Sequence, residues 1–91
     1  MGNLAEAEQL YKKVLRAQPG HLGALNLLGI LLTQAGRNDE AERTIHAALR
    51  INAKSDATHY NHGLVLKKLK RLPEALAAFD KALALNPHVE T

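Results

Sequence analysis

His59 and His62 stand three residues apart, a spacing that puts both imidazoles on one face of a helix. Imidazole suits zinc, but a closed site takes about four donors. The nearby candidates along the chain are Asp56 and His88. The pair therefore reads as one exposed and one partly buried histidine, and no metal site is expected. Lys67, Lys68, Lys70 and Arg71 form a basic cluster. Cations at a helix end complement its dipole, so the default reading is a solvated end rather than a site for phosphate or an acidic partner. Nucleophilic chemistry lacks its parts, since the chain has no cysteine, Ser55 is its one serine, and no glycine-rich phosphate loop is present. Glu40 and Glu74 occupy equivalent positions 34 residues apart. First-turn acids stabilise helices, so this repetition points to a structural role. No catalytic residue and no cofactor are assigned.

The elements that position these residues follow from composition and periodicity. The 91 residues are 46% hydrophobic but only 3% aromatic, so the apolar content is mostly leucine and alanine. That composition favours helix over strand. The net charge of +3 is too small to imply nucleic acid, and base-stacking aromatics are nearly absent. No stretch approaches the ~20 apolar residues of a membrane span, and the N-terminus shows no signal-peptide pattern. A cytoplasmic chain, with neither membrane nor nucleic acid as partner, is the expectation.

Shifted by 34, the sequence aligns with itself. Ala7, Ala41 and Ala75 coincide, as do Tyr11, Ile45 and Phe79, then Leu15, Leu49 and Leu83. Pro19, Ala53 and Pro87 fall in register, and Gly29 and Leu32 match Gly63 and Leu66. Within each period, sets such as Leu25, Leu28 and Leu32 recur at steps of three and four, which line one helical face. Pro19-Gly20, Gly36 and Asn86-Pro87 punctuate the helices, and Pro73 suits a first turn. Asn38 and Ser55 or Asp56 are the expected N-caps. Five helices are predicted, at 4–18, 22–35, 39–51, 56–69 and 73–85. Glycines repeated at one register inside helices, Gly29 and Gly63, imply close approach between paired helices.

These residues resemble the tetratricopeptide repeat (TPR) family, whose 34-residue motif is met by Leu28-Gly29, Leu32, Ala41, Ile45, Ala48 and Ala53, and again by Gly63, Leu66, Ala75, Phe79, Ala82 and Pro87. Ala7, Tyr11, Val14, Leu15 and Pro19 supply the second half of an earlier unit. The departures are Leu25 and His59 for a large aromatic, His62 for leucine, Lys70 for the turn glycine and Ala53 for proline. The resemblance implies an all-α solenoid of antiparallel helix pairs, about two and a half repeats divided as 1–21, 22–55 and 56–89.

It also implies a function. Such repeats are protein-interaction scaffolds that hold a peptide or protein partner on the concave side, lined by the first helix of each pair. The positions expected to face inward are Asn26, Ile30, Thr33, Gln34, Tyr60, Asn61, Leu64, Lys67 and Lys68. Asparagine and glutamine can grip a peptide main chain, and the two lysines favour an acidic or C-terminal carboxylate end. The carboxylate clamp of repeats that hold chaperone tails is not matched by Gly23, Ile30, Ala57 and Leu64. The repeats are similar to the bacterial type that precedes glycosyltransferase domains of the O-GlcNAc-transferase kind. Asn61 falls at the position of that enzyme's asparagine ladder, with Asn26 one place out of register. The alternative function is thus a non-catalytic, substrate-recognising region of such an enzyme.

The chain opens at the turn before a second helix and closes after another, which reads as a piece of a longer array. Uncapped terminal helices would expose apolar strips, including Ala78, Ala82 and Leu85 on the last helix. Self-association into a homo-oligomer is expected through them.

Overall fold

The computed structural model describes residues 3–87. Within them the chain forms five helices: α1 (Leu4–Ala17), α2 (Leu22–Gln34), α3 (Asn38–Ile51), α4 (Asp56–Lys68) and α5 (Leu72–Leu85). His88, weighed above as a metal ligand, lies outside the described residues. No helix there is long and apolar enough to cross a membrane.

The helices pack α2 on α3 and α4 on α5, each pair joined by a three-residue turn. α1 packs on α2, and α3 on α4. α2 also meets α4, whereas among the described residues α3 makes no close backbone contact with α1 or α5. The first helices of the pairs therefore lie together while the second helices splay apart. That asymmetry curves the layer, with α2 and α4 on its inner face. This is an all-α solenoid.

The core explains the recurring residues. Leu28, Leu32, Ala41, Ile45 and Val65 are buried together, with Tyr11, Leu15, Leu49 and Leu69 packed on them. Leu66, Ala75 and Ala78 make a second cluster beside Phe79. A Cβ at Gly29 would lie 2.9 Å from Ile45 Cγ1 and closer still to Cδ1. One at Gly63 would lie 2.6 Å from Phe79 Cδ1 and 2.8 Å from Cζ. What glycine admits is thus a bulky side chain of the partner helix, laid on the helix surface, more than a backbone. The equivalence of Ile45 and Phe79 in the 34-residue register repeats the same lock.

Turn chemistry departs from expectation in places. Ser55 caps α4 as expected, its Oγ accepting from Thr58 N at 3.2 Å. Asn38 does not cap α3. It lies inside the helix with its Oδ1 buried and unpartnered, and Arg37 takes the cap position. The cause is the preceding turn. Gly36 adopts φ +80° and Arg37 N donates to Leu32 O at 2.9 Å, which fixes where α3 starts. Lys70 adopts φ +63° at the equivalent turn, and Arg71 N donates to Leu66 O at 2.9 Å. His21 caps α2 through Nδ1, which accepts from Ala24 N at 3.0 Å.

Each of those turns also carries an arginine clamp. Arg37 donates to Glu8 on α1 and to Glu40 on its own helix, both at 2.7 Å. Arg71 donates to Glu42 on α3 and to Glu74, both at 2.8 Å. Glu40 and Glu74 thus have the structural role their register implied. Lys12 also approaches Glu8 to 2.7 Å. The hydrogen bonds from Arg37 and Lys12 hold the Glu8 carboxyl at about 2, well below its ordinary value.

The last helix differs from expectation in which residues it exposes. Ala78 and Ala82 are buried, because they face α4 within the pair. Leu85 is exposed as expected, at 44%, and Leu72 and Leu76 join it at 55% and 64%.

Candidate functional site

On the inner face a groove of about 500 Å³ runs along α2 and α4. Ile30, Thr33 and Gln34 line it from α2, and Asn61, Leu64, Lys67 and Lys68 from α4. Lys70 joins from the following turn. A volume of this size fits a few side chains of a bound segment. Ile30 and Leu64 are register equivalents and half-buried, so they form its apolar floor. Asn61 is buried and Gln34 exposed. The Thr33 hydroxyl donates to Gly29 O at 2.8 Å, which leaves its oxygen as an acceptor.

The charge is uneven along the groove. Thr33, Gln34 and Gly36 of one pair correspond to Lys67, Lys68 and Lys70 of the next. All three lysines are exposed, and among the described residues none pairs with a carboxylate. One end of the groove is therefore neutral and the other carries three unneutralised cations.

Seven of the nine residues expected on the inner face line this groove. Asn26 and Tyr60 do not. Asn26 Nδ2 donates to Thr58 Oγ1 at 3.0 Å, tying α2 to the cap of α4. Tyr60 is 46% exposed and lies against Phe79 with ring centroids 5.5 Å apart. Lys70 lines the groove in addition to the residues expected from sequence. The available signal was its place in the basic cluster together with the register of Gly36. Arg71, in the same cluster, turns away to its clamp with Glu42 and Glu74.

The two histidines singled out by spacing take different partners in the fold. His59 is buried rather than exposed, and its Nε2 bonds to Ala53 O at 2.7 Å. His62 is half-buried and faces His46 of α3, with the Nε2 atoms 3.3 Å apart. Burial, then the proximity of His46, pushes the His62 imidazole below its ordinary pKa.

The tetratricopeptide repeat profile matches residues 1–61, and a second profile of the same description matches 57–89. Over 85 residues, 93% of this chain, the sequence is 33% identical to anaphase-promoting complex subunit 7 of Arabidopsis thaliana. It is 28% identical, over 94% of its length, to the probable UDP-N-acetylglucosamine–peptide N-acetylglucosaminyltransferase SPINDLY of Hordeum vulgare. The chain spans 15% and 10% of those two proteins. Among solved structures, MamA superposes with a TM-score of 0.84 at 27% identity, covering 94% of this chain and 50% of MamA.

Proposed function

This chain belongs to the tetratricopeptide repeat family of protein-interaction scaffolds, and from that premise we propose that its α2–α4 groove holds an extended peptide rich in acidic groups. The observation that carries this reading is the groove's composition: an apolar floor of Ile30 and Leu64 beside Gln34 and Asn61, ending in three unpaired lysines. An apolar side chain of the peptide would sit on the floor. Asn61 and Gln34 would meet its main chain, and Lys67, Lys68 and Lys70 its carboxylates. Asn26 and Tyr60 flank the surface in this proposal without lining it. The repeats themselves are a non-catalytic module, and the unit boundaries are 21/22 and 55/56.

Fluorescence anisotropy with labelled peptides of matched length tests the proposal. Acidic peptides should bind, neutral ones weakly and basic ones not at all, with affinity falling as salt rises. Reversing two rim cations, Lys67→Glu with Lys68→Glu, should weaken acidic-peptide binding about tenfold at low salt, acting mainly on the association rate. Equal binding of acidic and basic peptides, or an unchanged double variant, would rule the assignment out.

A second reading is favoured by the similarity to SPINDLY, which is a probable glycosyltransferase by name. The groove would then present a peptide to a catalytic region elsewhere in a larger protein. Leu72 and Leu76 on α5, with Leu4 and Leu10 on α1, favour self-association as a further property. Sedimentation at rising concentration tests it, and a monomer throughout would remove it. A cytoplasmic setting is part of the proposal, and cell fractionation checks it.

A further inference from the structure

Outside the groove, three ligand-type side chains converge at the junction of α3 and α4. Glu42 and His46 stand one turn apart on α3, and His62 comes across from α4. His46 Nε2 lies 3.3 Å from His62 Nε2. Glu42 Oε2 lies 3.7 Å from the first and 4.0 Å from the second. The rings meet edge to face, 82° apart.

These distances resemble the edges of a coordination polyhedron. A tetrahedral zinc ion with Zn–N bonds of about 2.0–2.1 Å sets its nitrogen ligands about 3.3–3.4 Å apart. The imidazoles already stand at that spacing, and a small torsional change brings the carboxylate in. A direct hydrogen bond between the rings would be long for an N–H donor. It would also leave unexplained why both nitrogens turn to one carboxylate oxygen.

Two further observations support a built site. Arg71 Nη1 donates to Glu42 Oε1 at 2.8 Å, which steadies the carboxylate and leaves Oε2 for the imidazoles. The repeat register isolates the site. The arginine clamp recurs one repeat earlier as Arg37 and Glu8, but Lys12 and Leu28 stand there in place of His46 and His62. Two departures from the repeat, on different helices, thus meet at one point.

We propose that Glu42, His46 and His62 bind one divalent transition-metal ion of the zinc type through two imidazole nitrogens and one carboxylate oxygen. Water completes the coordination on the exposed side of His46. Imidazole donors with one carboxylate select zinc and its neighbours over calcium or magnesium. The ligands belong to two successive helix pairs, so the ion staples one repeat to the next.

Zinc titration of the tag-free chain against a chromophoric chelator tests this, with far-UV circular dichroism to verify folding. One zinc per chain is expected, with melting temperature rising as the site saturates. His46→Ala and His62→Leu should each weaken binding at least about tenfold, and His21→Gln should leave it unchanged. His62→Leu restores the residue the repeat places at Leu28, so its loss of zinc cannot be ascribed to misfolding. X-ray absorption of the zinc-loaded chain should show two imidazoles in the coordination shell. Absence of binding to the intact chain at about 0.1 mM zinc, or undiminished binding in both histidine variants, would overturn the proposal.

Discussion

Replacing Lys70 with glycine separates the stability of the second turn from its contribution to the groove. Lys70 sits at φ +63°, where an L side chain crowds its own backbone. That conformation costs a non-glycine residue about 1–2 kcal/mol. Glycine removes the strain but adds freedom to the unfolded chain, which offsets about 0.4–1 kcal/mol. The net expectation for Lys70→Gly is a stabilisation of about 0.5–1 kcal/mol. For a domain of this length that raises the melting temperature by about 2–8 °C. The first turn provides the converse. Gly36 stands at φ +80° with nothing within 4 Å of an added Cβ, so Gly36→Ala introduces backbone strain alone. Less the same unfolded-chain offset, it should destabilise by about 0.5–1 kcal/mol. Calorimetric melts and urea titrations measure both. In the same samples Lys70→Gly should bind acidic peptides more weakly, since one of the three groove cations is gone. A lower melting temperature for Lys70→Gly would refute the strain argument. Unchanged peptide affinity would refute the role of Lys70 in the groove.

Gly63→Ala should destabilise by about 1–3 kcal/mol in chemical denaturation, because the new methyl overpacks against the Phe79 ring and outweighs the gain in helix propensity. Ser55→Ala should cost about 1 kcal/mol through loss of the α4 cap, visible as a lower urea midpoint. Acid titration should show the Arg37 clamp. The Glu8 carboxyl is depressed to about 2 in the folded chain, so its contribution is present above its unfolded value of 4.5 and is lost as pH falls toward 2. Glu8→Gln should flatten that part of the stability-versus-pH curve and leave its course above pH 5 unchanged, as followed by circular dichroism.

The repeat made the fold legible. Residues such as Ala41, Ile45 and Gly29 recur at fixed register because each helix pair solves the same packing problem, so self-comparison finds the helices and their buried faces. The groove followed from the same register, since Ile30 and Leu64 are equivalent positions on first helices. What the sequence did not reveal depends on side chains meeting across helices. Asn26 looks like a surface amide on its own helix, yet Thr58 reaches it from a residue 32 positions away. Asn38 has the right type for a cap, but the turn hydrogen bonds from Arg37 to Leu32 placed the helix start one residue earlier. The spacing of His59 and His62 along one helix suggests a pair, but spacing along one helix carries no information about the adjoining one. The neighbour of His62 is His46, 16 residues back on the adjoining helix.

Several positions that break the repeat lie on the surfaces proposed to bind. Where paired helices cross, the core keeps its type from one unit to the next, Ala41 and Ala75 both being buried small residues. Along the groove the types change instead: Thr33, Gln34 and Gly36 give way to Lys67, Lys68 and Lys70, the last at a turn where glycine is easier. At the junction of α3 and α4, Lys12 and Leu28 give way to His46 and His62, which brings an imidazole partly into the interior. On α5 the clamp acid of Glu8 and Glu42 gives way to Leu76, which is 64% exposed. Three of these changes, at Lys70, His62 and Leu76, do not improve the stability of the folded unit. A strained turn, a partly buried imidazole and an exposed leucine each oppose folding or solubility by a fraction of a kcal/mol or more. In a chain whose stability rests on repeated, interchangeable packing, departures that oppose folding are what single out the surfaces proposed to bind.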